Sequence, residues 1–219
     1  MDKYSKFNDI NAVLKKSKLT LDLIETKYNE SLHDQSISDE LLVEIKDYLG
    51  NLRSSLDYLA NKIPIKYFPI CKTELEFNNA IPNLDSSLKN AIKKWQPFQN
   101  NNWLSQFSIL NNKTKHVTLI PQKRKEDVRV NVSSPQGGSV SWGSGVTFGS
   151  GVSVMGVPID PNTQMPVPNN IVKTKKTTWV SFEFNHEDLP KGISALPLLK
   201  QCFEKITQAI SEIEPLIEK

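Results

Sequence analysis

The sequence predicts a mainly α protein, a four- to five-helix bundle with a small antiparallel β insertion before the last helix. Three observations carry this expectation. Three long segments repeat apolar residues at helical spacing, two central segments alternate with period two, and seven of the nine glycines crowd into 137–156. The expected organisation is a bundle made of 1–116 plus 190–219, with 117–189 as an inserted β-hairpin or sheet region, Gly-rich at 137–156.

The first helix is expected over 6–30, where Phe7, Ile10, Leu14, Leu21, Ile24 and Tyr28 fall on one stripe. A polar link, Ser31 to Ser36, breaks the pattern, and His33 within it reads as a solvated loop residue. A second helix should begin near Ser38, with Asp39 and Glu40 in the first turn where the helix dipole favours acids. Its stripe runs from Leu41 through Ile45, Leu49, Leu52, Leu56 and Leu59 to Ile63, and Pro64 ends it. Two long helices joined by a short link should pack as an antiparallel hairpin.

Residues 64–83 hold three prolines and little periodicity, so an irregular segment is expected there, with a short extended piece at Lys66–Ile70. Shorter helices follow at Ser86–Trp95 and Asn101–Asn112, separated by Pro97. Their aromatic residues Trp95, Trp103 and Phe107 sit on helical stripes and read as core. The last helix is expected over Leu196–Ile217. Between these helices, Asp127–Val132 and Thr178–Phe184 alternate as half-buried strands do. Asp160 is the only charge from 130 to 172. Val146, Phe148, Val152 and Val154 favour hairpins over a mobile loop, because apolar side chains of this kind are poorly placed in water.

The chain has 219 residues, 27 basic against 24 acidic, for a net charge of +3. That length fits one large domain or one domain with a sizeable insertion. No apolar run approaches the ~18–20 residues that span a bilayer, and no apolar stretch follows the charged start, so a cytoplasmic protein without membrane association is expected. Cys71 and Cys202 lie far apart, which suits free thiols in a reducing compartment. A secreted disulfide scaffold, a membrane protein and a disordered tail are excluded on these grounds.

The glycines do not meet the Gly-x-Gly-x-x-Gly spacing and no Gly-Lys-Ser/Thr follows, so they read as turn residues. His33, His116 and His186 are scattered, with no ligand spacing, and neither a metal nor another cofactor is expected. No Gly-x-Ser-x-Gly elbow is present, although a Ser-His-Asp set drawn from distant segments needs no such spacing. The second helix is more informative. Arg53 and Asp57 lie four apart on the flank of the apolar stripe, and Tyr58 points almost opposite to it. A surface ion pair is one reading. The other notes that the chain has three arginines against 24 lysines, so an arginine here suggests a need for a planar, permanently charged fork.

The segment Leu52-Arg-Ser-Ser-Leu-Asp-Tyr-Leu-Ala60, then Phe68-Pro-Ile70, Gln96-Pro-Phe98 and Asn111-Asn-Lys-Thr-Lys-His116, resembles a group of uncharacterised bacterial proteins. That group reads Arg-Ser-x-Leu-Asp-His, Phe-Pro-Ile, Gln-Pro-aromatic and Lys-His in the same order. Its Arg-x4-His element is similar to the signature of the HEPN superfamily, helical bundles that include metal-independent endoribonucleases of toxin and phage-defence systems. The resemblance spans residues 40–120 and implies that Arg53 would stabilise a scissile phosphate, with Asp57 beside it. Tyr58 stands where the family has histidine. A tyrosine of ordinary pKa near ~10 is a poor general base at neutral pH, so either nuclease activity is lost or His116 takes over as base. The resemblance also implies a homodimer, because HEPN sites commonly form at a two-fold interface, which an outward-facing Tyr58 would suit.

A third signal is charge. Lys113, Lys115, His116, Lys123, Arg124, Lys125 and Arg129 fall within 17 residues, and Lys173, Lys175 and Lys176 precede the later strand. If the strands pair, these runs lie side by side and would attract phosphates, with Trp142, Phe148 and Trp179 as stacking faces. The alternative is a solvated hairpin whose lysines guard an edge strand. Two functions follow as expectations. One is a HEPN-like, metal-independent endoribonuclease or RNA-binding relative in bacterial defence. The other is a non-catalytic dimeric helical module that docks a protein partner through 137–156.

Overall fold

The apolar stripes become the core of six helices. The computed structural model describes residues 7–33 and 37–217, with the side chain of His33 outside the described set. The expected solvated setting of His33 and the rest of the polar link at 34–36 therefore lie outside the described residues. The helices are α1 (Asn8–Glu30), α2 (Asp39–Ala60), α3 (Glu74–Ala80), α4 (Ser86–Lys93), α5 (Asn102–His116) and α6 (Ala195–Ile217). The strands are β1 (Gln122–Ser133), β2 (Ser139–Gly143), β3 (Ser153–Val154), β4 (Val157–Asp160), β5 (Met165–Pro166) and β6 (Lys173–Phe184).

These elements overturn the expected mainly α bundle. The fold is α+β, about 50% helical and 18% strand, with two antiparallel three-stranded sheets ordered β2-β1-β6 and β3-β4-β5. The physical reason is a second apolar cluster. Val130, Val132, Trp142, Val157, Ile159 and Val172 bury against one another, so the strands form a sheet structure with a core of its own. The chain divides into one unit of residues up to Lys123 and from Phe182 onward, and a second of Arg124–Ser181.

In the first unit, Ser38 caps α2 by accepting a hydrogen bond from the Leu41 amide. α1 and α2 pack together, and Lys27 near the end of α1 pairs with Glu40 in the first turn of α2 at 2.8 Å, as an antiparallel hairpin requires. α2 stops at Ala60, four residues before Pro64. α6 packs on α1, α2, α4 and α5. There the buried Tyr48 hydroxyl donates to the Leu199 carbonyl at 2.8 Å, and burial pushes the Tyr48 pKa far above its ordinary value. α5 runs four residues beyond its expected end. Its last turn carries Lys113, Lys115 and His116, where the dipole favours cations. α3 is an element that periodicity misses, since Phe77 is its one buried residue. Its signal is a capping box, in which the Thr73 side chain accepts from the Glu76 amide while the Glu76 carboxylate accepts from the Thr73 amide.

In the second unit, β1 and β2 pair with Val130 opposite Trp142 and Val132 opposite Val140. Gly137 and Gly138, at φ +106° and +86°, turn the chain between them. β3 and β4 are joined by Met155 and Gly156, both at positive φ, the two-residue arrangement that matches strand twist. The segment after β2 is held by Gln164. Its side chain accepts from the Phe148 amide at 2.6 Å and donates to the Phe148 carbonyl at 3.2 Å, while its own carbonyl accepts from Trp142 Nε1 at 3.2 Å. Among the described residues no helix is long and apolar enough to cross a membrane.

A Cβ at Gly156 would meet no atom within 4 Å, so substitution there tests backbone strain alone. Gly156→Ala is expected to weaken the second unit by about 1–2 kcal/mol, read as a lower urea midpoint.

Candidate functional site

α2 sets Arg53 and Asp57 one turn apart, and their side chains meet through two parallel bonds. Arg53 Nε donates to Asp57 Oδ2 at 3.0 Å, and Nη2 lies 2.8 Å from Oδ1. This fork geometry is the one that favours arginine over lysine. The pair also reaches residue 68. Arg53 Nη2 donates to the Phe68 carbonyl at 3.1 Å, and the Phe68 amide donates to Asp57 Oδ1 at 3.2 Å. A proline-containing segment outside any helix or sheet still has backbone groups to satisfy, and here an ion pair satisfies both polar groups of one residue.

Gln96 does the same for the next residues. Its buried side chain accepts from the Cys71 amide at 3.0 Å and donates to the Pro69 carbonyl at 3.0 Å and the Ile92 carbonyl at 3.3 Å. The Arg-Ser-Ser-Leu-Asp-Tyr, Phe-Pro-Ile and Gln-Pro-Phe pieces are thus one hydrogen-bonded assembly. The fourth piece joins through its first two residues. Asn111 and Asn112, with Arg53, Phe68, Ile70 and Ser108, line a cleft of about 230 Å³. A larger cleft of about 640 Å³ also takes in Arg53 and Asn111, together with Lys16 and Thr20 from α1, residues 44–57 of α2 and Lys115 from α5.

The larger cleft is lined by four basic side chains (Lys16, Lys46, Arg53, Lys115) and three acidic ones (Glu44, Asp47, Asp57). Lys46 pairs with Asp47 at 3.1 Å, and Arg53 with Asp57. Lys16 and Lys115 have no ion pair among the described residues, and Arg53 keeps Nη1 without a hydrogen bond. Lys16, Lys115 and the remaining Nη1 of Arg53 therefore bring positive charge to the cleft, partly offset by Glu44, an arrangement that can attract an anion.

The other sequence candidates lie elsewhere. Tyr58 is 41% exposed and lines neither cleft. His116 is exposed at the end of α5 and lines neither as well. Lys113 pairs with Asp188 at 3.1 Å and by that bond holds the Asp188 carboxyl below the usual carboxylate range. Arg124 pairs with Glu126, and Lys125 lies 3.9 Å from Asp127. Lys123 is exposed on β1. Arg129, Lys173, Lys175 and Lys176 are exposed, with no ion pair among the described residues. Nor do three His, Cys, Asp or Glu side chains come together among the described residues as a metal-binding group.

Sequence reasoning gave no role to Gln96, Asn111 or Lys16. Asn111 had a readable signal. It falls on the stripe of Leu104, Phe107 and Thr114, all buried, and a polar residue at such a position asks for a partner or a cleft. Comparison of the chain with protein-family models, with curated proteins and with solved structures gives no match.

Gln96→Leu would leave the Cys71 amide and the Pro69 carbonyl buried without partners. The expected loss is about 2–4 kcal/mol, measured by urea denaturation followed through helix ellipticity.

Proposed function

We propose that this protein is a HEPN-like RNA-binding protein that takes a phosphodiester into the cleft shared by Arg53 and Asn111. The observation that supports the reading most directly is convergence. Three of four short motifs spread over residues 52–116 meet at one polar cleft, and the remaining one, through Gln96, holds the backbone of the Phe68–Ile70 wall beside it. A purely structural clamp would need the Arg53 fork only on its Asp57 and Phe68 side. Nη1 remains, and Lys16 and Lys115 add charge from two other helices. The reading is one of binding, without strand scission. Attack by a 2′-hydroxyl needs a base within hydrogen-bond reach, and both Tyr58 and His116 lie outside the cleft lining.

The test is fluorescence anisotropy with a labelled RNA across a salt series, for wild type and Lys16→Glu/Lys115→Glu. Arg53 is spared because its loss would also release Phe68. The double variant is expected to bind at least tenfold more weakly, with a salt slope shallower by about 1.4 for two lost phosphate contacts. Equal affinity and slope would remove the cleft from RNA binding. In parallel, RNA incubated with wild type in EDTA should stay intact; cleavage that disappears in His116→Ala would replace the binding reading with a nuclease one.

A further inference from the structure

We infer that the outer face of the β2-β1-β6 sheet is a second binding surface, built for single-stranded nucleic acid. It stands on the second unit alone, independently of the cleft. The β1–β2 register puts Arg129 opposite Gly143, Asn131 opposite Ser141 and Ser133 opposite Ser139. Partners directly opposite share a face, and the intervening pair Val130 and Trp142 is buried in the unit's core. Arg129, Asn131, Ser139, Ser141 and Gly143 therefore face outward. On β6, Lys176 lines a cavity of about 180 Å³ with Val128, Val130 and Trp142. Its parity thus faces inward, and by alternation Lys173, Lys175, Thr177 and Trp179 face outward.

The resulting face is unusual in three ways. Trp179 stands 50% exposed, while Trp95, Trp103 and Trp142 are 4%, 6% and 6% exposed. Arg129, Lys173 and Lys175 add to the same face charge that no acidic side chain takes up among the described residues; the outward Asp127 lies against Lys125 and accepts from Ser144. Strand β2 contributes only serines and a glycine, which leaves the surface beside β1 low and open. Edge-guarding lysines would explain the charge on β6. They do not explain Trp179, since an exposed indole invites association.

The chemistry selects among partners. A membrane surface would want several apolar side chains to insert, and this face has one. A duplex hides its base faces, whereas an unpaired base can lie on an indole, with phosphates on the flanking cations. Successive outward residues of β6 sit about 7 Å apart, the scale on which an extended strand advances by one nucleotide. Unpaired RNA and DNA both present this chemistry.

The experiment uses the full chain with 12-residue oligo(U) and oligo(dT), read by anisotropy and by Trp fluorescence. Because three of the four tryptophans are buried, quenching reports on Trp179. Bound oligonucleotide should quench it. Trp179→Ala should lose about tenfold in affinity, Trp179→Phe should keep most of it, and Arg129→Ala/Lys173→Ala/Lys175→Ala should flatten the salt slope by about 2. Tighter binding to oligo(U) than to oligo(dT) would assign the surface to RNA, and equal binding to unpaired strands in general. Oligonucleotide binding without quenching, and unchanged in both sheet variants, overturns this inference and leaves the cleft reading in place. If the whole salt dependence goes with the three sheet cations, the sheet stands and the cleft reading falls. Equal affinity for a duplex, or binding to anionic vesicles alone, also overturns the inference. No binding of any oligonucleotide overturns both.

Discussion

The helical unit is organised around the way α2 lets go of the chain. After Ala60 the backbone passes through two prolines, Pro64 and Pro69, before the next helix, and such a segment has no ladder to satisfy its polar groups. The Arg53–Asp57 pair takes the amide and carbonyl of Phe68, and Gln96 takes the groups of Pro69 and Cys71. Phe68 is thereby delivered into the core at 2% exposure, and residues 68–70 become one wall of the cleft beside α5. A lysine at 53 would carry the charge without the two-pronged geometry, which accounts for one of the few arginines in so lysine-rich a chain.

Helices with a long buried stripe were legible from periodicity, and α1, α2 and α6 lie within a few residues of their expected bounds. α3 was hidden because one buried residue in seven carries no period; only its capping box speaks for it. The fold class was misjudged for a related reason. β3 and β5 are two residues long, too short to show alternation, and the second core is assembled by Val, Ile and Trp residues brought together from distant positions. Local pattern identifies strands that repeat. It is silent on whether short strands share a core.

The candidate site was half legible. Arg53 announced itself by rarity and by its i, i+4 partner, but its grip on Phe68 is a contact across 15 residues that spacing does not encode. The basic tract shows the same limit for charge. Lys113, Arg124 and Lys125 each lie against a carboxylate, while Arg129, Lys173 and Lys175 do not. Counting cations along the chain treats these two groups as equals, and only the partners distinguish them.

The hydrogen bond from Tyr48 to Leu199 joins residues 151 positions apart, and the Lys200–Glu25 pair spans 175. α6 supplies Leu198, Leu199, Cys202, Ile206, Ile210 and Ile213 to a core whose other walls are made far earlier. On the ribosome, therefore, α1 to α5 emerge with that side of their apolar surface open, and it stays open while the whole sheet unit is translated. Closure waits for α6. Such a protein relies on protection of its nascent chain, and any truncation ahead of Ala195 would produce an aggregating fragment in place of a smaller folded one.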